Sequence, residues 1–470
     1  MKLLAWPLLF ALAFSVSAEV TWKDRADATQ LQEAGFIYAA LDAQVRKLAS
    51  EKTHESPDLE LLEELVLKAN VEALEDYNRE ELKRFPVAGV HFLLGREAWR
   101  KKQKAEAQRW LTTVPRWHRY YPEARLLLAD LDGKNGSSHE EQCQESALKR
   151  AGEVQSPLLK RYYTVLAEDC MTMAPRRLYK EGKYTEALQG WGKVSKGAYK
   201  WPSLLLERAW GYYNVQDYNR TLGLLVTYKS PLLSSYSYPE AEVLTALAYF
   251  RLCLYDDALV VVDQYYNDYK PRTEALEALL KQHQNSQDYF YKLMVMSPAE
   301  RGQLHPFVRQ LATQVFHRPR FALDYASLQA VQGEHKRLKT ARDALPAKHP
   351  ARKWMGESLK QLAAVSTNLI GRINYHAKKD MFAFISQVYD LSEEMFKIKL
   401  EVISRKKDLV YGQKRLVADR GRGSFKQVKM TRFEEFWKFQ GAFWADELGD
   451  YSFGLPSNCE TVRRETEEAK

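Results

Sequence analysis

The side chains with the best claim to chemistry are few and scattered. His139 and Cys143 lie four residues apart, a spacing that puts both on one helix face, and Glu140 or Glu141 could add a third metal ligand. Two candidates do not make a site, and a disulfide accounts better for Cys143, so no metal and no other cofactor is expected. The chain has no phosphate-cradling glycine loop, no Gly-x-Ser-x-Gly nucleophile elbow and no His-Glu-x-x-His zinc motif. Adjacent acids such as Asp256-Asp257 and Glu434-Glu435 read as solvated helix charges. An enzyme built on this chain would have to draw its acids from Glu300, Glu357, Glu393 and Glu394, none of them in a recognisable setting. No catalytic residue is assigned, and the expected function is non-enzymatic. The alternative is an exported cell-wall-active enzyme with a helical catalytic region carried by repeats.

The four cysteines are read through the compartment. Lys2, the apolar run Leu3 to Phe14 and the small residues up to Ala18 have the order of a secretory signal peptide, cut after Ala18. The apolar run is shorter than the ~20 residues that span a bilayer. An exported, periplasmic chain follows, and in an oxidising compartment an even number of cysteines can pair. Cys143 and Cys170 fall in neighbouring helical patterns separated by Gln155-Ser156-Pro157, as a hairpin clasp would place them. Such a bond is worth about 3–4 kcal/mol in the chain-entropy model. Cys253 and Cys459 could pair, but Cys253 lies in a strongly helical pattern that favours a small buried hydrophobe.

The elements that carry these residues are helical throughout. The chain has 470 residues, 45% hydrophobic and 28% charged, with only 17 Pro and 22 Gly. That composition excludes wholesale disorder and turn-rich all-β folds, and the length implies several structural units. Ala28 to Ser50 reads as one amphipathic helix, with Leu31, Ala34, Tyr38, Leu41, Val45 and Leu48 at steps of three and four. Ser56-Pro57-Asp58 opens a second, with Ser56 as N-cap, so that residues 19–86 form a hairpin.

Residues 87–271 repeat. The segments starting at Gly182-Lys183-Tyr184, Gln216-Asp217-Tyr218 and Leu254-Tyr255 align on their tyrosines, which are 34 and 37 residues apart. Ala209 and Ala246 precede Tyr218 and Tyr255 by nine residues, and Trp191, Leu225 and Val262 follow the three tyrosines by seven. Degenerate units fall around Gly95, Ala107 and Leu111, and from Tyr121-Pro122. This pattern resembles the tetratricopeptide repeat family, a 34-residue helix–turn–helix, although the Leu-Gly pair of the first helix is missing and Thr221 stands in place of Ala. The resemblance implies a helical solenoid whose first helices line a groove for protein partners. It projects Arg176, Lys180, Trp210, Tyr213, Asn214, Phe250 and Arg251 into that groove, the aromatics as anchors and Arg176, Lys180 and Arg251 as carboxylate clamps.

Residues 272–430 are expected to form a long helical hairpin or coiled coil. Phe384, Val388, Leu391, Met395, Ile398, Val402, Arg405 and Leu409 alternate in steps of four and three. Their natural partner is an earlier helix, around 321–343 or 354–372, and a dimeric coiled coil is the competing reading. Lys and Arg exceed Asp and Glu by 12 between residues 331 and 430, against +9 for the whole chain. That excess is either a solvated helix surface or a contact with an anionic envelope surface. Nucleic acid is disfavoured by export. After a hinge at Arg420-Gly421-Arg422-Gly423, residues 431–470 hold Phe433, Phe436, Trp437, Phe439, Phe443, Trp444, Tyr451 and Phe453, expected to fold back as a cap, and an acidic tail. The run Gly441 to Tyr451, with Cys459 after it, resembles the tail of periplasmic repeat proteins of bacterial gliding-motility and related envelope complexes. That likeness implies an envelope assembly factor.

Overall fold

In the computed structural model the described residues are 22–23, 26–51, 53–316, 318–410, 423–428, 430, 432 and 434–459. The signal-peptide cut at Ala18, most of the proposed hinge, Phe433 and the acidic tail lie outside them. Among the described residues the chain is all-α, with 19 α-helices and no strand longer than the isolated bridge Gly423–Gly454. It divides into two compact units.

The first unit takes the residues up to Asp76 together with Ala330–Val365. It begins with α1 (Ala28–Glu33), α2 (Ile37–Ser50) and α3 (Ser56–Ala69). The single helix expected over 28–50 is therefore two. Gly35 breaks it, with φ 77°, a left-handed conformation that side-chain-bearing residues resist. Asp27 caps α1 by accepting from the N–H groups of Thr29 and Gln30. In α3 the N-cap is Glu55, and Ser56 is the first helical residue.

The second unit takes Tyr77–Gln329 and the residues from Ser366 onward. After α4 (Arg79–Leu82) come packed helix pairs. They are α5 (Ala88–Arg100) with α6 (Lys104–Leu111), α7 (Tyr121–Asp132) with α8 (Ser137–Glu153), and α9 (Pro157–Lys180) with α10 (Tyr184–Trp191). Then follow α11 (Trp201–Asn214) with α12 (Tyr218–Val226), and α13 (Pro239–Arg251) with α14 (Tyr255–Gln282). Each pair also packs on the next, through α6 on α7, α8 on α9, α10 on α11 and α12 on α13. Proline sits in the first turn of α7, α9, α11 and α13, where a missing N–H costs nothing.

Four of these hairpins share one turn. Lys102, Gly182, Gln216 and Cys253 adopt φ of 59°, 79°, 62° and 57°. In each copy the next residue's N–H reaches back to a carbonyl of the first helix: Gln103 to Ala98, Lys183 to Leu178, Asp217 to Tyr212 and Leu254 to Tyr249, at 2.9–3.0 Å. The same register sets the packing. Ala107, Ala187, Thr221 and Ala258 are each 0% exposed at the third position after the start of the second helix. Their partners nine residues before that start, Gly95, Pro175, Ala209 and Ala246, are buried too. Small side chains at both places let the two helices close up, and Leu111, Trp191, Leu225 and Val262 fill the space beyond.

The chain continues through α15 (Tyr289–Val295), α16 (Pro298–Arg301), α17 (Pro306–Phe316), α18 (Pro319–Ala344) and α19 (Ala351–Val410). Residues 354–372 are thus not a separate partner helix; they are the start of α19, a single helix of 60 residues that runs through Gly371. The seam read from the sequence is buried at Phe384, Val388, Met395, Ile398 and Val402. It faces α14 and α17: the Tyr265 hydroxyl donates to the Val388 carbonyl at 2.9 Å, Tyr266 donates to Ser392 at 2.8 Å, and the Phe307 and Phe384 rings lie 5.0 Å apart. α18 contributes an ion pair, Asp324 to Arg372 at 3.1 Å. The boundary drawn at residues 271/272 falls inside α14, which passes through Pro271.

Candidate functional site

The seven residues read as groove-lining sit on the first helices of three successive hairpins, α9, α11 and α13, which neighbour one another along the stack. Six of them are joined across helices. Arg176 on α9 pairs with Glu207 on α11 through two contacts of 2.7 and 2.8 Å, and that carboxylate raises the arginine's pKa. Asn214 on α11 donates to the Tyr179 hydroxyl on α9 at 2.8 Å. The Trp210 indole donates to Glu240 of α13 at 2.7 Å, and Arg251 of α13 donates to the Tyr213 hydroxyl at 3.0 Å. Trp210 and Tyr213 stack edge to face at 5.6 Å, while Phe250 packs on Tyr255 at 5.7 Å within its own hairpin. Lys180 is exposed. Trp210 therefore packs between units as well as facing out. The row forms a half-buried ladder of aromatic rings and charge-assisted hydrogen bonds.

A second feature of the same helices is the C-terminal segment, whose seat on α11, α12 and α13 the sequence did not specify. Residues 434–459 form an extended strap across α11, α12 and α13. Leu448, Phe453 and Leu455 are 4%, 7% and 2% exposed, packed among Leu205, Leu222, Val226, Ala248 and Leu252. Each such burial stabilises by about 1.5–3 kcal/mol. The strap's backbone is satisfied by α12. The Asn219 side chain accepts from the Leu455 N–H at 2.9 Å and donates to the Leu455 carbonyl at 3.1 Å. The Asn219 carbonyl accepts from the Phe453 N–H at 3.0 Å, and Thr227 accepts from the Gly449 N–H at 3.2 Å. Gly223 makes the approach possible, because a Cβ there would lie 1.8 Å from the Tyr451 carbonyl oxygen.

Cys459 ends the strap bonded to Cys253. The reading of Cys253 as a buried hydrophobe is corrected: it is not inside a helix but in the left-handed turn between α13 and α14, where its side chain meets the strap. Cys143 and Cys170 are bonded between α8 and α9. The Cys143 sulfur is therefore engaged, and His139 faces Asp132 at 3.2 Å. Among the described residues no group of His, Cys, Asp and Glu is placed to hold a metal ion. Two disulfides mark an oxidising, extracytoplasmic setting. Among the described residues no helix is long and apolar enough to cross a membrane.

Between strap and repeats lies a cleft of about 840 Å³ lined by Arg208, Tyr212, Arg220, Glu434, Trp437 and Trp444, among others. Arg220 grips Glu434 through contacts of 2.9 and 2.8 Å, and Trp437 donates to Glu447 at 3.0 Å. Phe453 and Leu448 are buried, whereas Trp437 and Trp444 remain 66% and 61% exposed. None of Glu300, Glu357, Glu393 and Glu394 lines the cleft, and all four are exposed. Glu300 accepts from the Ser297 hydroxyl and N–H, which hold its carboxyl below the usual range. The arrangement can grip an extended backbone, aromatic rings and carboxylates. No protein-family model, curated protein or solved structure matches the chain.

Proposed function

We propose that this chain is an exported scaffold without enzymatic activity, a tetratricopeptide-like solenoid that binds protein partners in the periplasm and assembles a cell-envelope complex of the motility or transport type. The observation that carries the reading is the set of four hairpins with one turn and one buried small-residue register, three of which in succession bring Arg176, Trp210, Tyr213, Asn214 and Arg251 on their first helices into one row. A second support is that α12 and α13 already hold an extended peptide, the strap, by its backbone. The basic excess of residues 331–430 adds a contact with an anionic envelope surface.

The test is cross-linking in intact cells followed by mass spectrometry, comparing the wild type with a Lys180→Glu/Arg251→Ala variant of unchanged helix content. Partners should cross-link to α9, α11 and α13 and be lost from the variant. A variant that keeps every partner sinks the groove. Residues 272–430 belong to both compact units, so the surface contact is tested on the whole chain. Binding to anionic vesicles should be strong at 0.1 M salt and weak at 1 M, where the Debye length falls from ~10 to ~3 Å. No binding at low salt would reduce the positive excess to a solvated helix face.

A further inference from the structure

α19 has a second apolar seam, about a quarter-turn round the helix from its buried one. Tyr375, Phe382, Tyr389, Phe396 and Ile403 recur at every seventh residue, with Leu400 between the last two, and all are between 48% and 63% exposed. An apolar stripe repeated at seven is the signature of a helix that meets another helix side by side. It extends for roughly 42 Å at ~1.5 Å per residue. Isolated exposed apolar residues need no explanation, but a continuous row of this length does. The row is held in place by its own helix bundle: the Tyr389 hydroxyl donates to Glu277 of α14 at 2.6 Å.

We propose that this stripe docks a second copy of the same chain, with the two α19 helices antiparallel about a twofold axis near Ser386. One exposed charge pair beside the stripe is self-complementary in that direction. Lys379 and Glu393 are both exposed and lie seven residues to either side of Ser386, so the axis sets each against the other's counterpart in the second copy. The same operation sets Phe382 beside Tyr389 and Tyr375 beside Phe396, large ring against large ring. A parallel pairing would instead stack Lys379 on Lys379 and Glu393 on Glu393, which repel. The patch is thus isologous: one stripe serves both subunits and the contact closes at two.

Sedimentation velocity of the full chain over a concentration series tests this. The wild type should shift from monomer to dimer. Phe382→Ser and Phe396→Ser should weaken the dimer by about a hundredfold or more, and Lys379→Glu by about tenfold. The double reversal Lys379→Glu/Glu393→Lys should recover the lost affinity. Ser386→Cys should form an intersubunit disulfide, whereas Ile403→Cys should not, because only the axis residue meets itself. A wild type that stays monomeric at every concentration overturns the proposal and leaves the stripe to a different helix. A dimer that Ile403→Cys also cross-links overturns the antiparallel arrangement.

Discussion

α12 and α19 each bury one face in the helical stack and turn another outward, yet the outward faces are built for different guests. That of α12 is nearly flat. Gly223 lets a backbone come close, and Asn219 and Thr227 supply the hydrogen bonds an extended chain would otherwise lose. That of α19 is a ridge of large, mostly apolar side chains. An extended segment has unpaired N–H and C=O groups every residue, so its host must answer them. A helix has already satisfied its own and asks only for shape. The strap on α12 is the first case, and the bare heptad stripe on α19 fits the second.

The largest effect expected from breaking this contrast is at Gly223. Gly223→Leu should displace the strap and cost ~3 kcal/mol or more, since Leu448, Phe453 and Leu455 would all be uncovered. Urea unfolding and protease nicking within 434–455 would measure it, and an unaltered midpoint with an intact strap would refute the close approach. On α19 the two faces meet at adjacent residues. Met395 is 0% exposed and Phe396 54%, so Met395→Ala should cost ~2–5 kcal/mol and Phe396→Ala within ~0.5 kcal/mol, both read in the monomer at low concentration. Equal costs would mean that both faces are packed.

The smallest effect separates two ways of holding a backbone. Asn219 is neutral, but Glu334, on α18, accepts from the N–H groups of Tyr38 and Ala39 at the start of α2 at 3.1 and 2.8 Å. Burial pushes the Glu334 carboxyl up to about 7, outweighing the opposing pull of those N–H groups. A carboxyl raised above its unfolded value of 4.5 stabilises fully below that value and loses the contribution as pH rises through 7. Hydrogen exchange corrected for intrinsic rate should therefore show the first turn of α2 opening more readily at pH 8 than at pH 5, by ~1–2 kcal/mol. The Leu455 amide should show no such slope. A flat profile at α2 would mean that Glu334 stays ionised throughout.

Much of the helical order was legible, for reasons visible in particular residues. Tyr184, Tyr218 and Tyr255 mark hairpins because each repeat buries its small residues against its own other half, a local demand written at fixed offsets. The buried seam from Phe384 to Val402 was legible in the same way. The stripe from Tyr375 to Ile403 was equally regular and went unread. Periodicity reports that a face is apolar and is silent on what covers it, so the seam was assigned to α18 or to the start of α19 itself when α14 and α17 receive it. The seven residues read from the repeat register lie on α9, α11 and α13, but the pairing of Arg176, Trp210 and Asn214 with Glu207, Glu240 and Tyr179 depends on the angle between successive hairpins, which no offset encodes.

The sequence by itself determined the all-helical character, the seven-residue rhythm of the buried seam, and the hairpins marked by Tyr184, Tyr218 and Tyr255, because those follow from interactions within about forty residues of chain. Only the tertiary structure decided that Cys253 meets Cys459, 206 residues away, that Asn219 clamps Leu455, and that Glu334 caps α2. Each of these joins a local geometry to a distant segment. The distant segment leaves no periodic trace, since an extended strap or a single capping carboxylate is recognised by where it arrives rather than by any pattern along its own chain.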